Sequence, residues 1–331
     1  MRAAFYRRTG PAAEVLETGQ QPDPAPGAGE VLVRVRASGI NPADVKRRAG
    51  WLGAKVDHPL VIPHCDGAGE IQAVGEGVPA ARVGERVWLW NAQGGYGTIG
   101  RAFGTAAELV ALPADQAVPL PDPLDFDEGA CLGVPAMTAH RAVFADGPVG
   151  GQTILVAGAG GAVGHFAVQF AVWGGARVIG TVGSPARARH AQDAGAETVL
   201  NRRGDVVGEV MELTRGVGVD RVIEVDLAAN LETDIAILKP NGVLASFSSS
   251  SDPRPILPYY ALASKGLTVH FIQGFNLPEP ARAAGKAAIA ALGVTGSLRV
   301  AVGARLPLDR IAEAHDLVAA RHTVGNVVLT I

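Results

Sequence analysis

The sequence predicts an α/β protein in which a doubly wound parallel sheet accompanies a β-rich domain. Short apolar runs alternate with helical segments from about residue 153 to residue 272, which is the pattern of a parallel sheet covered by helices. The residues before about 120 instead show short strands separated by turns rich in Gly and Pro. A chain of 331 residues is long enough for two such domains.

The β-rich part is clearest at residues 30–39, where the side chains alternate in character. Val33 and Val35 fall on one face of the predicted strand, and Arg34 and Arg36 fall on the other. Further strands are predicted at 67–78 and 85–90.

Domain boundaries follow from a Pro-rich connection and from the character of the tail. Segment 105–121 ends in this connection, and the residues after about 275 are predicted to be helical and then to form short strands. We therefore expect domains at 1–123 and 124–272, with 273–331 returning to the first domain.

The second domain is predicted to contain six strands separated by helices. The strands are expected at 153–158, 176–182, 198–201, 220–225, 242–247 and 268–272. Apolar residues from Val163 to Gly174 share one face of the first helix. Ser184 and Pro185 have the character of a helix start, and Gly195 has that of a helix end.

A Gly-rich turn joins the first predicted strand to its helix. Residues 157–164 read Ala-Gly-Ala-Gly-Gly-Ala-Val-Gly, and Gly158, Gly161 and Gly164 give the spacing G-x-x-G-x-x-G. Small residues let a diphosphate approach bare amides at a helix N-terminus, including those of Ala162 and Val163. Gly164 would also let the helix and the strand pack closely. The turn therefore predicts a dinucleotide site, because it stands between a strand and a helix.

The end of the second strand indicates which nicotinamide cofactor is bound. NAD-binding proteins place Asp or Glu there to hold the ribose 2′-hydroxyl, but Thr181, Gly183 and Ser184 follow one another here without an acid. Arg187 and Arg202 come shortly afterwards, and arginine binds phosphate bidentately. We therefore expect NADPH.

Composition and charge exclude several classes of protein. Hydrophobic residues make up 48% of the chain and charged residues 18%, so disorder is excluded. A net charge of −3 argues against binding to nucleic acid. Two cysteines cannot form a disulfide framework. Neither a signal peptide nor a membrane span is recognised, so we expect a cytoplasmic protein.

Taken together, these motifs resemble those of the zinc-independent medium-chain dehydrogenases/reductases, and more narrowly the NADPH:quinone reductase (zeta-crystallin) family. The similarity runs over essentially the whole chain. It is carried by ASGINPADVKRRAG (37–50), CDGAGEIQAVGEGV (65–78), GACLGVPAMTAHRAV (129–143), LVAGAGGAVGHFAVQFA (155–171), VIGTVGS (178–184) and LNRRGD (200–205).

The resemblance implies a Rossmann domain inserted into a GroES-like catalytic domain, with NADPH in the cleft between them. It implies a homodimer or a homotetramer in which sheet edges join across the interface. In the family, a basic residue after the second strand and a side chain after the third hold the 2′-phosphate, and Arg187 and Arg202 occupy those positions.

The resemblance also implies that no zinc is bound. Zinc-dependent relatives supply three catalytic ligands, at positions matched here by Asn41, Cys65 and Val134. One ligand-competent side chain remains, whereas catalytic zinc needs three. His64 beside Cys65 is not expected to help, because neighbouring residues of an extended segment point to opposite faces.

Without a metal, polar side chains must stabilise negative charge that develops on the acceptor oxygen. Asn41, in the Asn-Pro motif of the family, is the first candidate. The family usually carries Tyr five residues later, and this chain has Lys46. Lys46 either donates to the acceptor or the ribose, or turns to solvent. Tyr96 is a candidate to replace the missing phenol.

Further cofactor contacts are expected from two other places. Thr138 matches a threonine that the family uses near the nicotinamide. Phe247, Ser248 and Ser249 follow a strand of the parallel sheet, where cofactor contacts gather, although the serine-rich stretch is also typical of a plain loop.

The leading hypothesis is NADPH-dependent reduction of a small quinone. Its alternatives are reduction of an activated C=C bond, as in alkenal or enoyl reductases, and an NADPH-binding protein without catalytic activity. The acidic balance and the lack of a basic patch with interleaved aromatic residues argue against RNA binding.

Overall fold

The structure is a computed structural model that describes residues 1–94 and 99–331. These residues form two compact units. The first comprises Met1–Pro135 and Lys286–Ile331, and the second comprises Ala136–Gly285. Strands and helices are numbered below in chain order.

The chain begins with a β-rich stretch. Its strands are β1 (Arg2–Phe5), β2 (Glu17–Gln20), β3 (Glu30–Ile40), β4 (Asp66–Val74), β5 (Arg86–Leu89), β6 (Leu109–Pro113) and β7 (Ala117–Pro119). Its helices are α1 (Ala12–Val15), α2 (Pro42–Ala49) and α3 (Phe126–Gly129), and α4 (Gly133–Phe144) then leads into the second unit.

Strands and helices alternate through the second unit. The strands are β8 (Thr153–Ala157), β9 (Arg177–Val182), β10 (Thr198–Asn201), β11 (Val219–Glu224), β12 (Leu238–Ser246) and β13 (Thr268–Phe271). The helices are α5 (Ala162–Trp173), α6 (Pro185–Asp193), α7 (Val206–Leu213), α8 (Leu227–Ile237) and α9 (Tyr259–Ser264).

The last part of the chain returns to the first unit. It contains α10 (Glu279–Val294), β14 (Val302–Pro307), α11 (Ile311–Ala320) and β15 (Asn326–Thr330). The two units change over inside α4 and α10.

The sheet of the first unit is built around β3. Its strands lie in the order β14-β15-β3-β4-β5-β7, and β6 also pairs with β3. β15 runs parallel to β14 and antiparallel to β3. Val33 and Val35 are buried whereas Arg34 and Arg36 are exposed, which confirms the predicted alternation.

The sheet of the second unit is parallel throughout, in the order β10-β9-β8-β11-β12-β13. This order confirms the doubly wound sheet. The strand order reverses between β8 and β11, and ligands of such sheets bind at the carboxyl ends of the strands beside this point. Buried apolar side chains from five strands form its core: Leu155, Ile179, Leu200, Val222 and Leu244.

The predicted strands of this sheet are found with small shifts at their ends, and β12 differs most. It starts at Leu238 rather than at 242 because Leu238 already pairs with Val219. The pairing then shifts register before Arg221 meets Val243. Asn241 has φ +60° in this stretch, and such an irregular segment shows no clear alternation in the sequence.

Within residues 1–94 and 99–331, every helix is too short or too polar to cross a membrane.

Candidate active site

The Gly-rich turn begins at the carboxyl end of β8 and is tied to the neighbouring strand β9. The amide of Ala159 donates to the carbonyl of Thr181 at 3.0 Å, and the amide of Gly158 lies 3.4 Å from Thr181 Oγ1. Gly158 has φ +66°, a conformation that glycine adopts without strain. The end of β9 therefore fixes where the turn starts.

The turn delivers an uncapped helix N-terminus. Gly161 is the N-cap of α5 and offers no capping side chain, so no cap side chain accepts from the first amides of the helix, at Ala162, Val163 and Gly164. A Cβ atom on Gly164 would overlap the carbonyl oxygen of Gly158, which explains why a glycine stands there. Helix N-termini of this kind attract anions because their amides and dipole both favour negative charge.

Gly160, between the glycines of the predicted spacing, is the residue of the turn that sequence reasoning missed. A Cβ atom here would lie 2.6 Å from Arg187 Cβ and 2.7 Å from the Arg187 carbonyl oxygen. Arg187 Nη1 also donates to the Gly160 carbonyl at 2.9 Å. Burial lowers the pKa of Arg187 from its usual value. The run of two glycines at 160 and 161 was the available signal.

The end of β9 carries no acidic side chain, as predicted from the sequence. Ser184 caps α6, since its hydroxyl accepts from the Arg187 amide at 3.4 Å. Arg202 follows β10, is exposed, and lies with Nε 3.0 Å from where a Cβ atom on Gly183 would be. A cationic guanidinium thus lies over the glycine that follows β9.

The serine-rich segment after β12 caps a neighbouring helix. The carbonyl of Ser248 accepts from the amide of Leu227, and the hydroxyl of Ser249 accepts from that of Ala228. Phe247 donates its amide to the Glu224 carbonyl at 3.1 Å. These contacts tie the ends of β11 and β12 together, so both serines have a structural task in the chain itself.

Thr138 lies in α4 and is buried, with 4% of its surface exposed. It belongs to the second unit, together with the Gly-rich turn.

In the first unit, Asn41 is held between two buried acids. It is the N-cap of α2, where its backbone amide donates to Asp44 Oδ2 at 2.8 Å within a capping box. Its side-chain Nδ2 donates to Asp66 Oδ2 at 2.7 Å. The Val134 amide donates to the same Asp66 oxygen at 2.8 Å. The carboxamide of Asn41 therefore has a fixed orientation.

Burial raises the pKa of both acids, and that of Asp66 more than that of Asp44. Burial raises the pKa of Asp66 to about 8, while the hydrogen bond from Asn41 opposes the shift and the nearby Asp44 adds to it. Burial likewise raises the pKa of Asp44 to about 6, against the hydrogen bond from the Asn41 amide. Asp66 Oδ1 is buried without a hydrogen-bond partner. The hydrogen bonds that Oδ2 accepts from Asn41 and Val134 favour the ionised form, so it is desolvation that keeps the pKa of Asp66 raised.

The three positions where zinc-dependent relatives carry ligands are engaged in other contacts. Asn41 binds Asp66, and Val134 contributes only its backbone amide to this cluster. The Cys65 thiol lies 3.8 Å from Gln93 Oε1, and burial raises its pKa well above the usual value. Of the three positions, only Cys65 carries a usual zinc-binding side chain, whereas a catalytic zinc ion needs three protein ligands, so this donor set does not fit one. The residues the structure describes contain no cluster of three or more His, Cys, Asp or Glu side chains arranged to hold a metal.

His64 is buried and belongs to a chain of hydrogen bonds. Thr105 Oγ1 donates to the Asp66 carbonyl at 2.5 Å, so the Ser38 hydroxyl, 2.8 Å away, donates to Thr105. His64 Nδ1, at 2.9 Å, then donates to Ser38, and His64 Nε2 accepts from His315 Nε2 at 2.9 Å.

Both histidines of this series of hydrogen bonds are neutral. Burial lowers the pKa of His64 well below its usual value and that of His315 to about 3. The series of hydrogen bonds connects α11 to the backbone of Asp66 and helps to fix that residue.

Lys46, the predicted second catalytic residue, lies on α2 against Trp51. Its Nζ is 4.2 Å from the centroid of the Trp51 ring, within the range of a cation–π contact. Tyr96, the other candidate, lies outside the described residues.

The structure therefore places the predicted residues in two groups. The cofactor candidates lie in the second unit, and Asn41 and Lys46 lie in the first. Asp66, which belongs to the first unit with Asn41 and Lys46, is the main residue there that the sequence analysis missed. Its signal was an acid followed by glycine at the start of an apolar strand, where a solvated acid is unusual.

Two domain families match the sequence. Residues 27–122 match the alcohol dehydrogenase GroES-like domain, and residues 162–292 match the zinc-binding dehydrogenase domain. The first match covers most of the β-rich stretch, and the second covers most of the parallel sheet.

Individual proteins resemble the chain over its whole length. A quinone oxidoreductase of Pseudomonas aeruginosa is 34% identical over 334 residues, which is 99% of this chain and 98% of that protein. A mycobacterial protein whose structure was solved with NADPH is 31% identical, with a TM-score of 0.87 and full coverage of both chains. An NAD-dependent alcohol dehydrogenase structure is 32% identical, with a TM-score of 0.89 and full coverage of both chains.

The raised pKa of Asp66 predicts a characteristic pH dependence of stability. The folded protein keeps the Asp66 proton up to about pH 8, whereas the unfolded chain releases it near pH 4. The free energy of unfolding of the wild type therefore falls as the pH rises from 4 to 8, because the unfolded chain has released the proton that folded Asp66 still holds. Asp66→Asn mimics the protonated acid at every pH, so the variant should gain stability relative to the wild type across this range.

Urea unfolding of both proteins at pH 5, 6, 7 and 8 measures the effect. Each pKa unit corresponds to about 1.4 kcal/mol, so the difference should grow by several kcal/mol. Asp122→Asn removes an exposed carboxylate of the same unit and controls for the change in net charge. Parallel curves for wild type and Asp66→Asn would show that Asp66 is ionised in the folded protein.

Proposed function

Since the chain belongs to the quinone oxidoreductase family of the medium-chain dehydrogenases/reductases, we propose that it reduces small quinones with NADPH and without a metal ion. The family makes the chain an oxidoreductase. The observation that carries the cofactor assignment is the uncapped N-terminus of α5 beside a strand end that has an exposed arginine and no acid.

The second unit is proposed to hold the nucleotide through backbone amides. The diphosphate would be bound by the turn from Gly158 to Gly164, where close backbone packing leaves no room for side chains. Arg202, exposed above Gly183, would bind the 2′-phosphate. Thr181 supports the turn from below through its contacts to Gly158 and Ala159.

The first unit is proposed to stabilise the acceptor oxygen. NADPH supplies a hydride, and reduction of a quinone to a hydroquinone additionally consumes one proton. Asn41 donates one Nδ2 hydrogen to Asp66. Its second Nδ2 hydrogen is proposed to be donated to the acceptor oxygen that gains negative charge. Because Asp66 and the capping box hold the carboxamide still, this donor needs no reorganisation during the reaction.

The charge and contacts of Lys46 support a secondary role. Its ammonium packs on Trp51, so it contributes positive potential near the end of α2 without replacing the phenol that the family carries. We therefore propose Asn41 as the donor to the acceptor oxygen and Lys46 as an electrostatic contributor.

The proposed substrate class is tested by comparing acceptors. We expect NADPH oxidation with 1,4-naphthoquinone, followed at 340 nm, to exceed that with a 2-alkenal of similar size. Turnover of the alkenal alone would instead identify a C=C reductase. Tight NADPH binding without turnover of either acceptor would identify a binding protein.

Asn41→Ala should lower kcat for the quinone while leaving the dissociation constant of NADPH unchanged. Removing one preorganised donor to a developing oxyanion costs roughly 100- to 1,000-fold in kcat. Thermal melting reports the loss of the helix cap separately, which costs about 1 kcal/mol. Asn276→Ala, at an exposed position of the second unit, is the control. An unchanged kcat would remove Asn41 from the reaction.

Arg202→Ala should weaken NADPH binding and spare NADH. A charge-assisted hydrogen bond contributes about 1.5–3 kcal/mol, which corresponds to roughly 10- to 150-fold in affinity. Arg189→Ala, at an exposed arginine of α6, serves as the control in calorimetric titrations. An equal loss for both nucleotides would contradict the assignment of Arg202 to the 2′-phosphate.

A further inference from the structure

The two arginines that family resemblance places at the 2′-phosphate have different surroundings. Arg202 is exposed and lies over Gly183. Arg187 is partly buried and reaches back to the Gly-rich turn, where its Nη1 donates to the Gly160 carbonyl at 2.9 Å. The resemblance gave both arginines the same role, but they contact different parts of the candidate nucleotide site.

The first turn of α6 packs directly against Gly160. Any side chain at position 160 would collide with the Cβ atom and the carbonyl of Arg187, at 2.6 and 2.7 Å. The fit therefore depends on both partners, since glycine permits the approach and the guanidinium fastens it.

The contact fixes one peptide plane of the turn from both sides. The carbonyl of Gly160 accepts from Arg187, and the amide of Gly161, which belongs to the same peptide unit, donates to the Gly158 carbonyl at 2.8 Å. Without the arginine, only one side of this plane is held. A freed peptide can rotate and present its carbonyl oxygen to an anion, which repels it.

We propose that Arg187 is a positioning residue for the diphosphate turn, required for NADH and NADPH alike, and that Arg202 provides the preference for the 2′-phosphate. This inference rests on the proposed nucleotide-binding function and changes the role that resemblance gave to Arg187. The part of the ligand that depends on Arg187 is the diphosphate.

Two fragments of the cofactor separate the two roles. ADP-ribose contains the diphosphate but no 2′-phosphate, and 2′-AMP contains the 2′-phosphate but no diphosphate. Calorimetric titration of both fragments and of NADPH is carried out on the wild type, Arg187→Ala and Arg202→Ala. We expect Arg187→Ala to bind ADP-ribose and NADPH about 10- to 100-fold more weakly and 2′-AMP nearly as well as the wild type. Arg202→Ala should show the reverse selectivity between the fragments.

Gly160→Ala tests the same contact from the other partner. It should reproduce the fragment pattern of Arg187→Ala, and the double variant should lose little more than either single variant, because both changes break one contact. Gly150→Ala is the matched control, since a Cβ atom there meets nothing closer than 3.6 Å. Arg187→Lys keeps a donor for the Gly160 carbonyl and should recover part of the ADP-ribose affinity.

The outcomes distinguish this inference from the proposed function. Loss of 2′-AMP binding alone in Arg187→Ala, an equal loss for all three ligands, or no loss at all would overturn the positioning role. Failure of the wild type to bind any of the three ligands would overturn the nucleotide-binding function itself. Should Arg187→Ala fail to fold, as judged by circular dichroism, Gly160→Ala gives the same comparison.

Discussion

The close approach of backbone to backbone in the turn between β8 and α5 is the constraint on which the nucleotide unit depends. At Gly164 the helix passes the Gly158 carbonyl with no room for a Cβ atom, and at Gly160 the turn meets α6 in the same way. These contacts bring the first amides of α5 to the carboxyl edge of the sheet, beside the reversal of strand order. Hydrophobic burial could hold the sheet together without them, but it would leave the helix N-terminus in a different place.

In the first unit, the comparable constraint is polar. Asp44, Asp66 and Asn41 are buried together, and such groups are costly unless each is hydrogen-bonded or neutral. Burial raises the pKa values of the two acids and lowers those of His64 and His315, so each group is shifted toward its neutral form. The cluster fixes the orientation of the Asn41 carboxamide at a cost in stability, as is typical of functional sites.

Periodicity predicted the elements of both units well, because it reports on short-range structure. The alternation in β3 and the apolar runs of the parallel sheet required no knowledge of partners. The contacts that define the site were not predictable in this way. Arg187 meets Gly160, and Asp66 meets Asn41 and Val134, across many residues of intervening chain. Single-sequence patterns do not encode such pairings.

The position of β15 has a consequence for biosynthesis. This strand is translated long after β3, yet it lies between β14 and β3. Residues 136–285 are contiguous, so that unit can acquire its native packing while the ribosome is still elongating the chain. The other unit must wait with β3 lacking one neighbour, and an unpaired strand of this kind is open to wrong pairing until β15 arrives. The order of translation thereby assigns the exposed, aggregation-sensitive interval to the unit that contains Asn41.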